Sequence, residues 1–398
     1  MSLKTHAKLL TLAGIVGLVA TACAGNNDST PPTASVPMAA QGNHQGQGGN
    51  GQGQNGQGGD CNDDQGGGNG HCSILKRLKD QVVIGSTIDG TYGQLNPYGL
   101  DVAKSTNGAF TKGDLAVCNF NNNQNIQGTG YTIVALHPQP GSTPTLVVAD
   151  PTDLVGCAAL ALTSNDTIYA AAFSSNDNPV YSASGTLVTN LSGSPFNDPF
   201  GETYAQPKWG SPVVYESNAA DGNIIRISTG SSYSSEVIAT GFPVNGGAPG
   251  SILGPSGLQY DPDHDALFVV DGDNNTVTVI ENVSQAHSGC LIVSNRGKKF
   301  DGGCGPRTKL LYSGAPLNGP ISSALLFNGN LVVGNTLDPN GENLMIEISP
   351  EGKVLDKRNV DTGAAGALFG MVATGTNAHN TKLFFNDDND NDLQVLEP

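Results

Sequence analysis

Basic residues are scarce in this sequence. Lys and Arg total 18 against 35 Asp and Glu in 398 residues, which gives a formal net charge of −17 at pH 7. An acidic surface repels phosphate backbones and anionic lipid headgroups, so nucleic acid and anionic membranes are excluded as main partners. Cations, sugars and basic proteins are compatible with this charge, as is plain solubility outside the cell.

Helical patterns and catalytic motifs are also missing. Only 13% of residues are charged, glycine occurs 54 times, and few stretches have the apolar spacing of an amphipathic helix, so we predict an all-β protein. There is no Gly-x-Ser-x-Gly elbow, P-loop or His-Glu-x-x-His. The absence of Cys-x-x-Cys leaves a zinc or thioredoxin-type site without support.

The single long apolar run, Leu9–Ala20, is too short and too soon interrupted to span a membrane. Lys4 and Lys8 precede this run, and small residues up to Ala22 follow it. Residues 1–22 therefore have the pattern of a secretory signal peptide. The following stretch, Val-Ala-Thr-Ala-Cys23, resembles a bacterial lipoprotein signal, although Ala20 stands where Leu is usual. The resemblance implies that Cys23 is lipidated and that the chain meets the membrane of the cell envelope only through this anchor. Plain secretion is the alternative.

Residues 23–72 consist largely of Gly, Gln, Asn, Ser, Thr and Pro. This tract cannot bury enough apolar surface to offset the entropy of ordering, so it is predicted to be a disordered tether. Residues 73–398 are then the folded domain.

Cysteine use agrees with export. Removing Cys23 from the seven cysteines leaves an even set of six, which suggests disulfides. Pairing sequence neighbours gives Cys61 with Cys72, Cys118 with Cys157 and Cys290 with Cys304. Six cysteines allow fifteen connectivities, so the connectivity stays open.

The clearest organising feature is the stretch Gly254–Asn282. It reads as strand, turn, strand, Asp/Asn-rich turn and alternating strand. This layout resembles the NHL repeat, which forms one blade of a β-propeller. One such unit cannot bury its own face, so further copies must stack against it.

Five weaker copies bring the number of units to six. They occupy residues 96–136, 156–172, 198–227, 319–348 and 367–396. The position that opens each first strand is small in all six, as crowding around a propeller axis requires: Gly99, Ala159, Gly201, Gly257, Ser322 and Gly370. The last unit has three strands, and the segment 81–85 can supply its missing outer strand next to Leu393–Leu396. We therefore predict a six-bladed, monomeric β-propeller closed by an N-terminal outer strand.

Polar residues recur where the second strands end. The positions are Asn119, Ala172, Glu216, Asp271, Asn335 and Asn386, and five of the six carry a side-chain acceptor. In the fold resembled, these ends surround one mouth of the central channel, so the five polar residues are candidate ligand-binding residues. Alternatively, each caps its own turn. The aromatic residues near this mouth serve ligand contact or packing between blades: Tyr98, Phe120, Phe173, Phe200 and Tyr215.

Glu202 breaks the pattern of an innermost strand. Leu, Ser or Met occupies this position in the other units, and a buried carboxylate needs a partner. Propeller lactonases, which this architecture resembles, hold a divalent metal on the axis with Glu, Asn and Asp, and Glu202, Asp271 and Asn335 are a matching set. The lactonase Glu-Gly-Pro signature is absent, however, and the histidines lie in scattered loops. We expect Glu202 to be tied to a neighbouring donor such as a backbone N–H or a basic side chain.

Two Asp/Asn clusters have features of calcium loops, at residues 261–265 and 386–392. The first lacks the central Gly and the closing Glu, and the second has no Gly, so capping of turns by Asx side chains explains both better. No cofactor is therefore predicted outright. The favoured function is a non-catalytic platform that binds a protein or small ligand at the channel mouth. The alternative is a metal-dependent hydrolase or lyase with an axial divalent cation such as calcium.

Overall fold

The computed structural model describes residues 72–230, 232–302 and 307–398. Six sheets form a six-bladed β-propeller, which confirms the predicted fold class, and all but one of their strand pairings are antiparallel. Residues 1–71, on which the predicted signal peptide, Cys23 and all of the predicted tether except Cys72 fall, lie outside the described residues. Within the described residues, no helix has the length and apolar character needed to cross a bilayer.

The strands follow the blades in chain order. Before blade 1 comes β1 (Asp80–Ser86). Blade 1 holds β2 (Leu95–Val102), β3 (Leu115–Asn121), β4 (Thr132–Leu136) and β5 (Thr145–Ala149). Blade 2 holds β6 (Cys157–Leu162), β7 (Ile168–Ala172), β8 (Asp177–Tyr181) and β9 (Leu187–Ser192). Blade 3 holds β10 (Pro199–Ala205), β11 (Val213–Asn218), β12 (Ile224–Ser228) and β13 (Ser235–Thr240).

Blade 4 holds β14 (Pro255–Asp261), β15 (Ala266–Asp271) and β16 (Thr276–Glu281), and its outer strand β19 (Arg307–Ser313) follows an insertion. The insertion contains β17 (Leu291–Ser294) and β18 (Lys299–Asp301), which extend the sheet of blade 3. Blade 5 holds β20 (Pro320–Leu325), β21 (Leu331–Asn335), β22 (Leu344–Ile348) and β23 (Val354–Asn359). Blade 6 holds β24 (Leu368–Thr374), β25 (Lys382–Asp387) and β26 (Asp392–Glu397). Two short 3-10 helices cover Leu75–Arg77 and Val283–Gln285.

Burial explains the apolar character of the second strands. Every residue of β3, β7, β15 and β21 is buried, because each blade packs a neighbour on both faces. The outer strand β9 has no buried residue. Small residues are required where first strands meet, since a Cβ on Gly201 would lie 1.6 Å from the carbonyl oxygen of Ser256 in the next blade.

The ring closes as predicted. β1 pairs antiparallel with β26, with Val82 opposite Val395, and so completes blade 6. The segment before β1 also packs against blade 5, which the sequence did not indicate. Ile74 and Leu75 are 1% exposed, and their N–H groups donate to the buried carboxylate of Glu347 in β22 at 3.0 and 2.9 Å. The N-terminal segment is therefore fastened to blade 5 before it closes blade 6.

One of the three predicted disulfides is confirmed. Cys118 in β3 is bonded to Cys157 in β6 and joins blades 1 and 2. Cys72 is disulfide-bonded, but Cys61 lies outside the described residues, so that pairing stays a prediction. The predicted pairing of Cys290 is wrong, because its thiol is free and packs in the apolar core between blades 3 and 4. Its predicted partner, Cys304, lies outside the described residues.

Candidate functional site at the channel mouth

The pairing of first and second strands sets one mouth of the channel. Pro97 lies opposite Asn119 and Pro255 opposite Asp271, so the end of each second strand stands beside the start of a first strand. We call the five predicted polar residues the mouth ring: Asn119, Glu216, Asp271, Asn335 and Asn386. All five are 0% exposed. Their side chains therefore lie beneath the loops that form the outer surface of the mouth.

Two asparagines of the ring connect separate segments. The amide of Asn119 donates to the carbonyl oxygen of Thr87 at 3.1 Å and to Thr132 Oγ1 at 3.2 Å. The amide of Asn386 donates to the carbonyl oxygens of Tyr98 and Gly99 at 3.1 and 3.2 Å. These contacts fix the N-terminal connection to blade 1, and blade 6 to blade 1.

Asp271 and Asn335 hold nearby loops. Asp271 Oδ1 accepts the N–H groups of Asp273 and Asn274 at 3.0 and 3.3 Å, and so caps its own turn. Burial raises the pKa of Asp271 to about 7, although these two hydrogen bonds act to lower it. Asn335 donates to the carbonyl oxygen of Pro316 at 2.8 Å and accepts the N–H of Asn318 at 3.0 Å, which anchors the connection between blades 4 and 5. Asp271 therefore caps its own turn, whereas the asparagines of the mouth ring connect neighbouring segments of the chain.

Aromatic side chains close the axis at the same level. We call five of them the aromatic plug: Tyr98, Phe120, Phe173, Phe200 and Phe369. Tyr98 stacks on Phe120 and on Phe369, with ring centroids 4.1 and 3.7 Å apart. Phe173 meets Phe200 edge-on at 6.0 Å. The plug is buried and its rings pack between blades, and Tyr98, Phe200 and Phe369 also line a small axial cavity.

Sequence reasoning missed Phe369 and misplaced Tyr215. Phe369 precedes Gly370 as Tyr98 precedes Gly99 and Phe200 precedes Gly201, so the same alignment identifies it. Tyr215 belongs to the apolar core between blades 3 and 4, where its ring lies 6.3 Å from that of Tyr260.

Below the plug, Glu202 has neighbouring donors, which are the backbone of Ala171, as expected, and a neutral side-chain amide in place of a basic side chain. Asn178 Nδ2, on β8 of blade 2, donates to Glu202 Oε1 at 2.5 Å and to Glu216 Oε2 at 2.5 Å. Glu202 and Glu216 are paired across β10 and β11, so both carboxyl groups face the same amide. Glu202 Oε2, Glu216 Oε1 and Asn178 Oδ1 are buried without a hydrogen-bond partner. No sequence motif identifies Asn178, since only the packing of blade 2 against blade 3 brings it next to the two carboxyl groups.

This pair holds protons to an unusually high pH. Burial is the main cause that raises the pKa of Glu202 to about 8, and hydrogen bonds from Asn178 and from the backbone of Ala171 oppose the rise. Burial and then the charge of Glu202 raise the pKa of Glu216 well above its usual value. Like charges opposite each other on adjacent strands repel, so protonation relieves the pair at neutral pH.

The residues proposed to share a metal are not brought together. Glu202 lines an axial cavity of about 70 Å³, whereas Asp271 and Asn335 hold loops outside it. Among the residues that the structure describes, no group of three or more His, Cys, Asp or Glu is arranged to hold a metal ion. The set Glu202, Asp271 and Asn335 therefore does not fit a shared axial cation.

The two Asp/Asn clusters are capped turns. Asp261 accepts the N–H of Asp263 at 2.8 Å and contacts His264 Nδ1 at 2.6 Å. Asp387 accepts the N–H of Asn389 at 3.1 Å. Burial and neighbouring carboxylates raise the pKa of Asp387 to about 7, and Asp388 is raised to about 7 in the same way.

Comparison with known proteins supports the fold. No protein-family model matches the sequence, and no curated protein sequence matches it. The structure is similar to a gluconolactonase from Xanthomonas campestris, with a TM-score of 0.53, 12% identity and coverage of 80% of this chain and 94% of that one. It is also similar to the calcium-binding protein regucalcin from Agrobacterium tumefaciens strain C58, with a TM-score of 0.50, 15% identity and coverage of 79% and 93%. Virginiamycin B lyase from Staphylococcus aureus has a TM-score of 0.47, 13% identity and coverage of 80% and 98%. At these identities the likeness concerns the fold alone.

Proposed function

We propose that this chain is an exported, NHL-like propeller lipoprotein that acts as a non-catalytic binding platform at the channel mouth. The aromatic plug is the observation that carries the proposal. Tyr98 and Phe200 are each 5% exposed, Phe369 is 3% exposed, and together they fill the axis at the level of the mouth. A ligand on this face therefore rests on a closed floor and is held by the surrounding loops.

The mouth ring supports this role indirectly. Its members are buried and fasten the loops, so they preorganise the binding surface and do not reach the ligand. Side chains that do reach solvent in these loops include Ile126, which is 49% exposed, and the exposed Asp221 and Asp390. An apolar contact among carboxylates suits a partner with basic side chains next to an apolar one.

The remainder of the proposal concerns the anchor. A lipid on Cys23 and the tract 24–72 would hold a monomeric propeller at the cell envelope while leaving its mouth free to meet a partner. Nothing in this arrangement requires a cofactor.

A photo-crosslinking residue at Asp390 tests the proposed surface in cells, with the same residue at Phe327 as the control. Phe327 is 42% exposed and lies on the opposite face, between the first and second strands of blade 5. We expect Asp390 to give a discrete covalent adduct by intact mass, whether the partner is a protein or a small molecule. Failure of Asp390 to crosslink, or equal products from both positions, would contradict the proposal.

One observation favours a second candidate, a metal-dependent hydrolase or lyase. Glu202 Oε2 has no hydrogen-bond partner and belongs to a residue that lines the axial cavity. A carboxylate oxygen of this kind is a ligand that a divalent cation prefers. The plug above it and the absence of a second acidic ligand from the cavity lining place this candidate behind the first.

A further inference from the structure

A groove lies on the face of the propeller opposite the mouth, at the margin between blades 3 and 4. It encloses about 290 Å³, close to the lower end of small-molecule sites, which span roughly 300–1,000 Å³. One wall is the sheet of blade 3, and the connection from β10 to β11 carries Trp209 beside it. It is separate from the mouth ring and from the axial cavity.

The sheet wall is a row of three paired residues. Tyr215 lies opposite Arg226, and Arg226 lies opposite Glu236, on β11, β12 and β13. Their side chains share one face of the blade because directly paired residues do. All three line the groove, and Arg226 and Glu236 make this sheet wall, which we call the floor of the groove, polar.

The two charges of this floor are fixed and cancel. Arg226 Nη2 donates to Glu236 Oε1, and Arg226 Nη1 donates to the carbonyl oxygen of Ser284 at 3.1 Å. Glu236 Oε2 accepts the N–H of Ser288 at 3.0 Å. Since the ion pair is neutral as a unit, it offers oriented hydrogen-bonding groups without attracting a net charge. The net charge of −17 further disfavours an anionic occupant.

Trp209 supplies an apolar surface next to this polar floor. It is the single tryptophan of the chain, and it is 87% exposed. Large aromatic side chains gain the most from burial, so a tryptophan that is solvent-exposed beside a preformed groove is typical of a binding surface. Hydroxyl groups, which can donate or accept, complete the lining at Ser211, Ser228 and Ser234. Ser228 Oγ already contacts the carbonyl oxygen of Ser232 at 3.0 Å and Ser234 Oγ at 3.1 Å, so Ser211 and Ser234 offer more hydrogen-bonding capacity to a ligand.

We propose that this groove binds a neutral oligosaccharide. A hexose ring has an apolar C–H face and a rim of hydroxyl groups, and it carries no charge. The C–H face would lie on the indole of Trp209, while the hydroxyl groups would exchange hydrogen bonds with the serines and the Arg226–Glu236 pair. A hexose thus has an apolar face for the indole, hydroxyl groups for the polar floor, and no net charge, as the neutral ion pair of the groove requires.

The lone tryptophan makes the experiment direct. The full chain is titrated with maltohexaose, with cellohexaose and with a hexamer of β-1,4-linked N-acetylglucosamine, and the fluorescence of Trp209 is recorded. We expect a saturable change with at least one of the three. A lack of saturable change with all three up to about 10 mM, where even weak sites fill, would overturn the proposal.

Variants then assign the site by calorimetry. Trp209→Ala should weaken binding about tenfold or more, and Trp209→Phe, which keeps a ring, should lose less. Because Trp209 is 87% exposed, its replacement should leave the melting temperature unchanged. Phe327→Ala, in another groove of the same face, should bind as the wild type does. Unchanged affinity in Trp209→Ala would overturn the assignment.

Discussion

Glu202 and Glu216 lie directly opposite each other on neighbouring strands, and both accept a hydrogen bond from the same amide nitrogen of Asn178. Asn178 and the backbone of Ala171 are neutral donors that cannot compensate two buried negative charges, and no basic side chain is among the contacts of the pair within the described residues. The pair is consequently stable in a protonated form, which gives the fold a measurable pH dependence.

The first prediction concerns this dependence. The pKa of Glu202 in the folded protein, about 8, lies above its value of about 4.5 in the unfolded chain. The folded state therefore binds the proton more tightly, and the stabilisation is full below pH 4.5 and is lost as the pH rises through 8. Glu202→Gln should lose little stability at pH 6 and gain on the order of 1–3 kcal/mol over the wild type at pH 9.

Urea denaturation at both pH values measures this difference. The control is Glu342→Gln at an exposed carboxylate, which should follow the wild type at each pH. Other raised carboxyl groups are common to all three proteins, apart from Glu216, whose pKa is raised in part by the charge of Glu202. The difference between variants therefore isolates the Glu202–Glu216 pair. A wild type and a Glu202→Gln variant that lose stability equally between pH 6 and pH 9 would refute the shared-amide account.

Ring closure gives the second prediction. Deleting residues 81–85 removes the partner of β26 and should lower the melting temperature by roughly 10 °C or more. Two single substitutions on β1, one at a buried and one at an exposed residue, test ring closure without deleting the strand. Ile84 is 1% exposed and packs between blades 6 and 1, so Ile84→Ala should cost about 2–5 kcal/mol, whereas Val83, 51% exposed, should tolerate Ala. Equal effects at the two positions would contradict closure by β1.

Much of this architecture could be predicted from the sequence, because it depends on local pattern. Alternation and Asx turns mark the strands, and small residues such as Gly201 mark where the first strands meet. Glu202 stood out because it interrupts that pattern. Its partner Asn178 did not, since an ordinary third-strand asparagine acquires its role only when blade 2 packs on blade 3. Sequence spacing also paired Cys290 with Cys304, whereas the thiol of Cys290 is free and packs in the apolar core between blades 3 and 4.

The N-terminal fastening to Glu347 supplies the third prediction. This carboxylate is 0% exposed and accepts from Ser73 Oγ, from two backbone N–H groups and from Asn330 Nδ2, the last at 2.6 Å. Glu347→Ala leaves these buried donors without an acceptor and should cost about 3 kcal/mol or more. Limited proteolysis should then cut between Cys72 and Lys79 before it cuts the blades. Cleavage that begins elsewhere would show that the segment is held by other contacts.

The fourth prediction concerns the anchor. Cys23→Ser removes the thiol that a lipid would modify, so the protein should move from the membrane fraction to the soluble fraction. Fractionation followed by immunoblotting measures the change, with Cys290→Ser as a cysteine control that should stay with the membrane. Continued membrane association of Cys23→Ser would exclude the proposed lipoprotein anchor.

The response of thermal unfolding to calcium tests the non-catalytic platform most directly, because an axial metal is the basis of the competing enzyme. A cation that binds only the folded state raises the melting temperature by mass action. We predict that the wild type melts at the same temperature with and without millimolar calcium, and that Glu202→Gln behaves alike. A calcium-dependent rise in the wild type that disappears in Glu202→Gln would contradict the account and place a metal centre on the axis.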